Sequence, residues 1–263
     1  VSTPYLIAKI MIKRLLNLHT IQKITLILTT LLLLMPSKAL AEDNIKYDIK
    51  VGGIEVTSEN ASNIFAGDGI NDGKVLFTPA TDDNSNNILT LKGAEINTDA
   101  TPVIVSNLQN LVIKLIGTGN RLECGGNNSV IFSTNANGFL SITDDYSNSG
   151  PDSEASLILA TKGDISVISG FAGMACTLTA YETNSDFHPI KEMANVAYDT
   201  ENKVLKANGS NILSVLYSNQ PISYGLTVAG TTVTSSNASN IITSGENNGK
   251  VSFDPETNIL TYD

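Results

Sequence analysis

The chain has 263 residues, with 26 acidic groups against 16 basic ones and a formal net charge of −10. A field of that sign repels nucleic acid and anionic membrane faces, which excludes both as expected partners. Two cysteines exclude a disulfide framework, so a chain of this length must hold itself together by burying a core.

Taken in chain order, residues 1–10 read as upstream sequence or an alternative start. From Met11 the pattern is that of a secretory signal. Lys13, Arg14 and Lys23 precede an apolar run from Ile24 to Met35, broken by Pro36 and Ser37 before Ala39-Leu40-Ala41. The run is about a dozen residues against the roughly 20 of a spanning helix, so a cleaved signal peptide over 11–41 is expected rather than an anchor. The mature protein then starts near Glu42, is secreted or displayed at the cell surface, and touches the membrane only through an uncleaved signal. Losing five basic and no acidic groups takes the net charge from −10 to about −15.

The segment from Tyr47 to Ile64 returns as Tyr224 to Ile241, with Asn60-Ala-Ser-Asn63 matching Asn237-Ala-Ser-Asn240. The match resumes at Gly73-Lys-Val-Leu-Phe-Thr-Pro79 against Gly249-Lys-Val-Ser-Phe-Asp-Pro255, and at Asn87-Ile-Leu-Thr90 against Asn258-Ile-Leu-Thr261. A unit of about 175 residues exceeds any single supersecondary repeat, so a whole module is used twice. Residues 42–222 are the first module and 223–263 the truncated start of a second, which suits a fragment of a longer tandem protein.

Within the first module, alternating apolar and polar residues between Gly, Asn and Asp turns predict a small antiparallel β-region over 47–91. From about 88 to 185 come short β-runs: 88–91, 103–105, 111–116, 130–132, 139–142, 156–159, 165–168 and 177–180. Aligning Leu89, Val112 and Leu140, with Val103 and Val130 on another face, gives turns of roughly 23–28 residues, the spacing of a parallel β-helix. An irregular β-rich exit fills 186–222. The fold class is therefore all-β, a parallel β-helix (solenoid) behind a small antiparallel region. A β-sandwich array is the alternative, since strands every 8–12 residues suit it as well.

The repeated phrase from Tyr224 to Ile241, with Gly249 to Thr261 behind it and runs such as Leu111 to Asn120, resembles tandem modules of secreted gut-bacterial surface proteins. Those are similar to bacterial carbohydrate-binding β-helix proteins. The resemblance covers most of 47–182 and 224–262 and implies a compartment and a class of function, with an extracellular glycan or cell-surface polysaccharide as partner. It carries no functional residue.

Catalysis has thin material. His188 is the one histidine outside the signal, and His188-Pro189 reads as a turn, so a histidine-dependent nucleophile is not expected. Gly117-Thr-Gly-Asn120 lacks the third glycine of a dinucleotide loop and reads as a turn. The tempting carboxylates are Asp99, in Asn97-Thr-Asp99, and the pair Asp144 and Asp145. These groups resemble motifs of β-helical polygalacturonases, whose Gly-His and Arg-x-Lys motifs do not occur here. Arg121 is the sole arginine past the signal. Paired acids would serve as general acid and base, whereas as turn residues they would bond to their own backbone.

No cofactor is expected unless it is calcium, for which Asp68, Asn71 and Asp72 offer hard oxygens between glycines; a hairpin turn explains the same residues. The second copy has Gly245-Glu-Asn-Asn-Gly249 there, without either Asp. For glycan binding, Tyr146 and Tyr181 are the candidate stacking platforms, with Tyr198 and Tyr217 behind them. Cys124 and Cys176 would pair across a long loop or stay as buried thiols. The expected function is an exported, non-catalytic surface module that binds carbohydrate or acts as an adhesin or spacer. A β-helical polysaccharide lyase or hydrolase is the enzyme alternative, and a bare stalk the third.

Overall fold

The computed structural model describes residues 44–82, 85–144, 154–221 and 223–263. The proposed signal peptide, Asp145 and Tyr146 lie outside them. The described residues are all-β, with 23 strands in mixed sheets, no helix and no closed barrel. None of them forms a helix long and apolar enough to cross a membrane.

The opening region begins with strands β1 (Lys46–Val51) and β2 (Ile54–Thr57), an antiparallel hairpin. Its loop is Gly52-Gly53, both at positive φ (57° and 82°), as a two-residue turn between twisted strands requires. After a long turn, β3 (Val75–Thr78) pairs antiparallel with β4 (Asn87–Lys92).

From β4 onward the pairing changes. The chain runs β4, β5 (Glu95–Thr98), β6 (Ile104–Ser106); then β7 (Asn110–Ile116), β8 (Asn120–Cys124), β9 (Ile131–Ser133); then β10 (Phe139–Asp144), β11 (Ser156–Thr161), β12 (Ile168–Ser169). Each third strand pairs in parallel with the one three before it: β4 with β7 and β10, β5 with β8 and β11, β6 with β9 and β12. Three passes thus build three parallel ladders, and a tenth strand, β13 (Gly173–Cys176), adds to the first ladder.

The interior side chains stack in register along the ladders. Leu89, Ile113 and Ile142 form one row; Ile96, Leu122 and Leu159 a second; Ile104, Ile131 and Ile168 a third, all buried. Val103, Val130 and Val167 lie one residue before the third row and are each fully buried. In the expected alignment of Leu89 with Val112 and Leu140, Val112 is off by one residue and Leu140 by two. Val112 sits on the outer face of β7, half-buried, because successive side chains on a strand point to opposite faces.

Corners between ladders are held by polar side chains. Asn120 is fully buried between β7 and β8, and its Oδ1 accepts from the Ala94 amide (3.1 Å) of the pass before. Its Nδ2 donates to Gly117 O (3.1 Å) and to Ser156 O (3.0 Å) of the pass after. Gly117-Thr118-Gly119 is the turn between these strands, as the missing third glycine indicated. At another corner Gly170 (φ +88) lies so close to the pass below that a Cβ would sit 2.2 Å from Ser133 O.

The parallel ladders give way to antiparallel strands. These are β14 (Thr179–Thr183), β15 (Pro189–Glu192), β16 (Val196–Asp199), β17 (Val204–Ala207), β18 (Ser210–Asn211) and β19 (Ser214–Ser218). β19 runs antiparallel to both β11 and β14, so no fourth parallel strand joins that ladder, and β17 closes the β12 edge in the same way. Asp199 accepts from the Asn202 amide (2.9 Å) and from Lys206 Nζ (2.8 Å), bonds that hold its carboxyl below the usual range and tie the β16–β17 hairpin.

The second copy is built as β20 (Ser223–Val228), β21 (Thr231–Thr234), β22 (Val251–Asp254) and β23 (Ile259–Tyr262), around a small core of Val233, Ala238, Ile241 and Val251. It reproduces the strand pairings and the asparagine turn of the opening region. Asn60 and Asn237 each accept from the amide three residues earlier at 2.7 Å and donate to a carbonyl five residues earlier at 2.9 Å. Tyr47 meets Phe77 at 5.2 Å and Tyr224 meets Phe253 at 5.5 Å between ring centroids. One exchange is compensated: a Cβ at Gly52 would come within 2.8 Å of the Phe65 ring, and where the second copy has Ala229 in the same left-handed turn, Phe65 is replaced by Ile242.

Candidate functional site

The acidic candidates do not converge. Asp99 follows β5, where its carbonyl oxygen lies 3.0 Å from the Cβ position of Gly125, just past β8. Asp144 ends β10 in register with Leu115, before β8 begins, and its Oδ2 accepts from Asn219 Nδ2 (2.8 Å). The five-residue strand β8 separates the two corners, roughly 13 Å at strand rise. Glycosidase carboxylates stand about 5–9.5 Å apart. Asp99 and Asp144, carboxylates of the enzyme alternative, therefore stand too far apart for an acid–base pair, and Asp145 lies outside the described residues.

The calcium candidates are already hydrogen-bonded in a turn. Asp68 Oδ1 accepts from the Ile70 amide (2.9 Å), which holds its carboxyl below the ordinary range, and Asp72 Oδ1 accepts from Asn63 Nδ2 (2.5 Å). Asn71 is buried, with its Nδ2 3.5 Å from Asp68 Oδ2 and its amide group turned mainly to β5. Its Oδ1 accepts from the Glu95 amide and its Nδ2 donates to the Glu95 carbonyl, both at 2.8 Å, so it fastens the turn to β5. Among the described residues no group of three or more His, Cys, Asp or Glu is arranged to hold a metal.

Tyr181 is 4% exposed on β14, and its hydroxyl accepts from Ser235 Oγ at 3.4 Å. With its ring covered it offers no face for a sugar, a correction to the expected platform. Alternation does not explain the burial, since the consecutive Ala180 and Tyr181 are both packed; β19 pairs beside the strand and Ser235 of the second copy reaches the Tyr181 hydroxyl. Tyr198 donates to Phe171 O (2.9 Å) and burial pushes its hydroxyl up to about 12. Tyr217 is fully buried beside a cavity of about 420 Å³, its hydroxyl without a partner among the described residues and its pKa raised by burial. The two thiols are free and sit at different corners: Cys124 is buried on β8, and Cys176 ends β13, pushed up to about 11 by burial.

An aromatic that the sequence reading passed over stands at a groove beside β8. Phe187 lies in the β14–β15 loop, whose turn is made by Asn184: its Oδ1 accepts from the Asp186 amide (3.0 Å) and the His188 amide (2.9 Å). His188 is thus a turn residue, as its proline neighbour suggested. Phe187 has φ = 63°, a left-handed conformation that suits glycine or asparagine and costs a bulky residue about 1–2 kcal/mol. The Arg121 guanidinium lies over its ring, 4.0 Å from the centroid, and also pairs with Glu123. Together with Asn97, Lys162, Asn184 and Leu213, Phe187 and Glu123 border a groove of about 280 Å³ on the outer face of β5, β8 and β11. No local signal marked it, because Phe187 and Arg121 are far apart in sequence and join only through the ladder.

Set against protein-family models, curated proteins and solved structures, the chain matches none. Its chemistry has to be read from its own residues. The groove joins an aromatic face, one cation, one anion and amide side chains, a set suited to holding a hydroxyl-rich ring.

Proposed function

We propose that residues 42–222 are an exported, non-catalytic surface module, wound as a parallel β-helix and used in tandem, that acts as an adhesin or spacer. The return of the opening region's strand pairings and asparagine turn in 223–263 carries this reading, because a duplicated cap has a use in an array and none in a single active site. The three parallel ladders support the β-helix over a sandwich array, whose sheets are antiparallel. Export rests on the basic and apolar run before Ala41. N-terminal sequencing of the protein recovered outside the cytoplasm should give a chain starting at or near Glu42. A full-length N-terminus held in the membrane would refute export by cleavage.

Carbohydrate contact is assigned to the Phe187 groove, because a strained aromatic persists where its surroundings over-determine it and such residues gather at binding sites. Phe187→Gly should abolish retention on polysaccharide columns. Its melting temperature should stay within about 4 °C of the parent, since the relieved strain offsets a lost cation–π contact of about 0.5–1 kcal/mol. Unchanged retention would remove the groove from the reading. Release of reducing ends or unsaturated uronates, lost in Asp99→Ala or Asp144→Ala, would replace the binding module with an enzyme.

A further inference from the structure

Where the parallel ladders give way to antiparallel strands, the core is left incomplete. On one side β13 carries Met174 and Cys176 inward, in register with the buried Leu140 and Ile142 of β10. On a second side Tyr217 of β19 faces in beside Leu157 and Ala180, its partners on β11 and β14. Tyr198 of β16 and Leu205 of β17, paired across their hairpin, stand on the third. The chain does not fill the space between these walls, and a chamber of about 420 Å³ remains. That is the volume of roughly 14 water molecules.

Most of the chamber's wall is apolar and yielding. Met174, Leu178, Met193, Val196 and Leu205 line it, and a methionine side chain changes rotamer readily enough to fit molecules of different shape. The exposed Glu192 and Asn195 also belong to the lining and mark its mouth. Two polar groups at depth are already engaged. Tyr198 donates its hydroxyl proton to Phe171 O (2.9 Å), and Cys176 Sγ donates to Leu178 O (3.7 Å). Tyr217 has no such outlet: it is 1% exposed, and its hydroxyl has no hydrogen-bond partner among the described residues. A hydroxyl shut off from water and left unpaired is destabilising, so an acceptor that reaches it gains the full strength of the bond.

We propose that this chamber binds a small neutral molecule with an apolar body and one acceptor oxygen, a ketone or ester in kind, whose oxygen takes the Tyr217 proton after a methionine side chain has moved aside. Among the described residues no cation lines the chamber to hold a carboxylate, and Glu192 at the mouth repels one. A sugar is excluded on different grounds, since apolar walls would strip water from hydroxyls they cannot bond. The chamber lies inside the ladders and the Phe187 groove on their outer face, so the failure of either site leaves the other in place.

The test compares three probes of similar shape: acetophenone, the hydrocarbon α-methylstyrene, and benzoate. Dissociation constants are measured by saturation-transfer NMR on the purified chain, and peptide mapping follows thiol labelling of Cys176. Acetophenone at ten times its dissociation constant should slow that labelling by about tenfold, because an occupied chamber excludes the reagent. Benzoate should not bind. In Tyr217→Phe the ratio of ketone to hydrocarbon affinity should fall by about tenfold, the worth of one hydrogen bond, while α-methylstyrene binds as before. An unchanged ratio overturns the role of Tyr217. Binding that leaves Cys176 labelling unaltered, or benzoate binding as tightly as acetophenone, overturns the site and the ligand class in turn. Binding of none of the three also overturns the proposal and means that ordered water alone meets the hydroxyl.

Discussion

Ile113→Asp is expected to unfold the module. Ile113 is fully buried at the centre of β7, with Leu89 below and Ile142 above in the same parallel row. Removing a buried isoleucine side chain costs about 2–5 kcal/mol. A carboxylate in that row has neither a partner nor water, which adds several kcal/mol more. The sum is comparable with the whole stability of a domain, about 5–15 kcal/mol. The purified variant should lose its cooperative thermal transition or fail to accumulate in soluble form. The exposed Glu59→Ala is the control, expected within about 0.5 kcal/mol of the parent. A cooperative melt of Ile113→Asp near the parent's temperature would place β7 outside the core and undo the ladder description.

Asn120→Ala should cost about 3 kcal/mol, more than its small change in volume suggests. The side chain satisfies the Ala94 amide and the Gly117 and Ser156 carbonyls, which belong to three successive passes. The exposed Gly117 carbonyl keeps the Ser156 amide (3.3 Å), so the loss falls on the Ala94 amide and the Ser156 carbonyl, at about 1–3 kcal/mol for each buried group left unsatisfied. Asn120→Asp isolates the donor half of this role, since a carboxylate accepts from Ala94 but has nothing to give the two carbonyls. Both variants should lower the denaturation midpoint with an unchanged slope. A loss under about 0.5 kcal/mol in Asn120→Ala would mean that water or backbone movement satisfies the corner, and that Asn120 does not join the passes.

Much of the strand pattern is legible in the sequence because one face of every strand must be apolar. Val103 and Val130 fall on their true step, and the runs at 111–116 and 139–142 are strands. The register of the first ladder slipped because Leu111, Val112 and Ile113 are all apolar, and a run without alternation does not say which side chain faces in. The repeat was legible outright, and the compensated pair Gly52–Phe65 against Ala229–Ile242 shows why it tolerates divergence. The candidate sites were less so. Asp99 and Asp144 were grouped by residue type, whereas their distance is set by which corner each occupies. Tyr181 carries no local mark of burial, because Ser235 reaches it from beyond the end of the first module. Phe187 escaped notice for the opposite reason: its turn is written for glycine or asparagine, and the mismatch becomes visible only as a φ angle.

The largest sheet sets a length. Its strands lie in the order β16-β17-β12-β9-β6-β1-β2, seven side by side. Six intervals at the usual strand separation of about 4.8 Å come to roughly 29 Å. The repeat takes 177 residues from Tyr47 to Tyr224. Fully extended, that many residues would span on the order of 600 Å. If the modules stack along this direction, a stalk made of them spends about twenty-fold more chain than a bare linker of equal reach. What it gains is a fixed step of about 3 nm per module, so its reach would change in whole units as modules are added or lost.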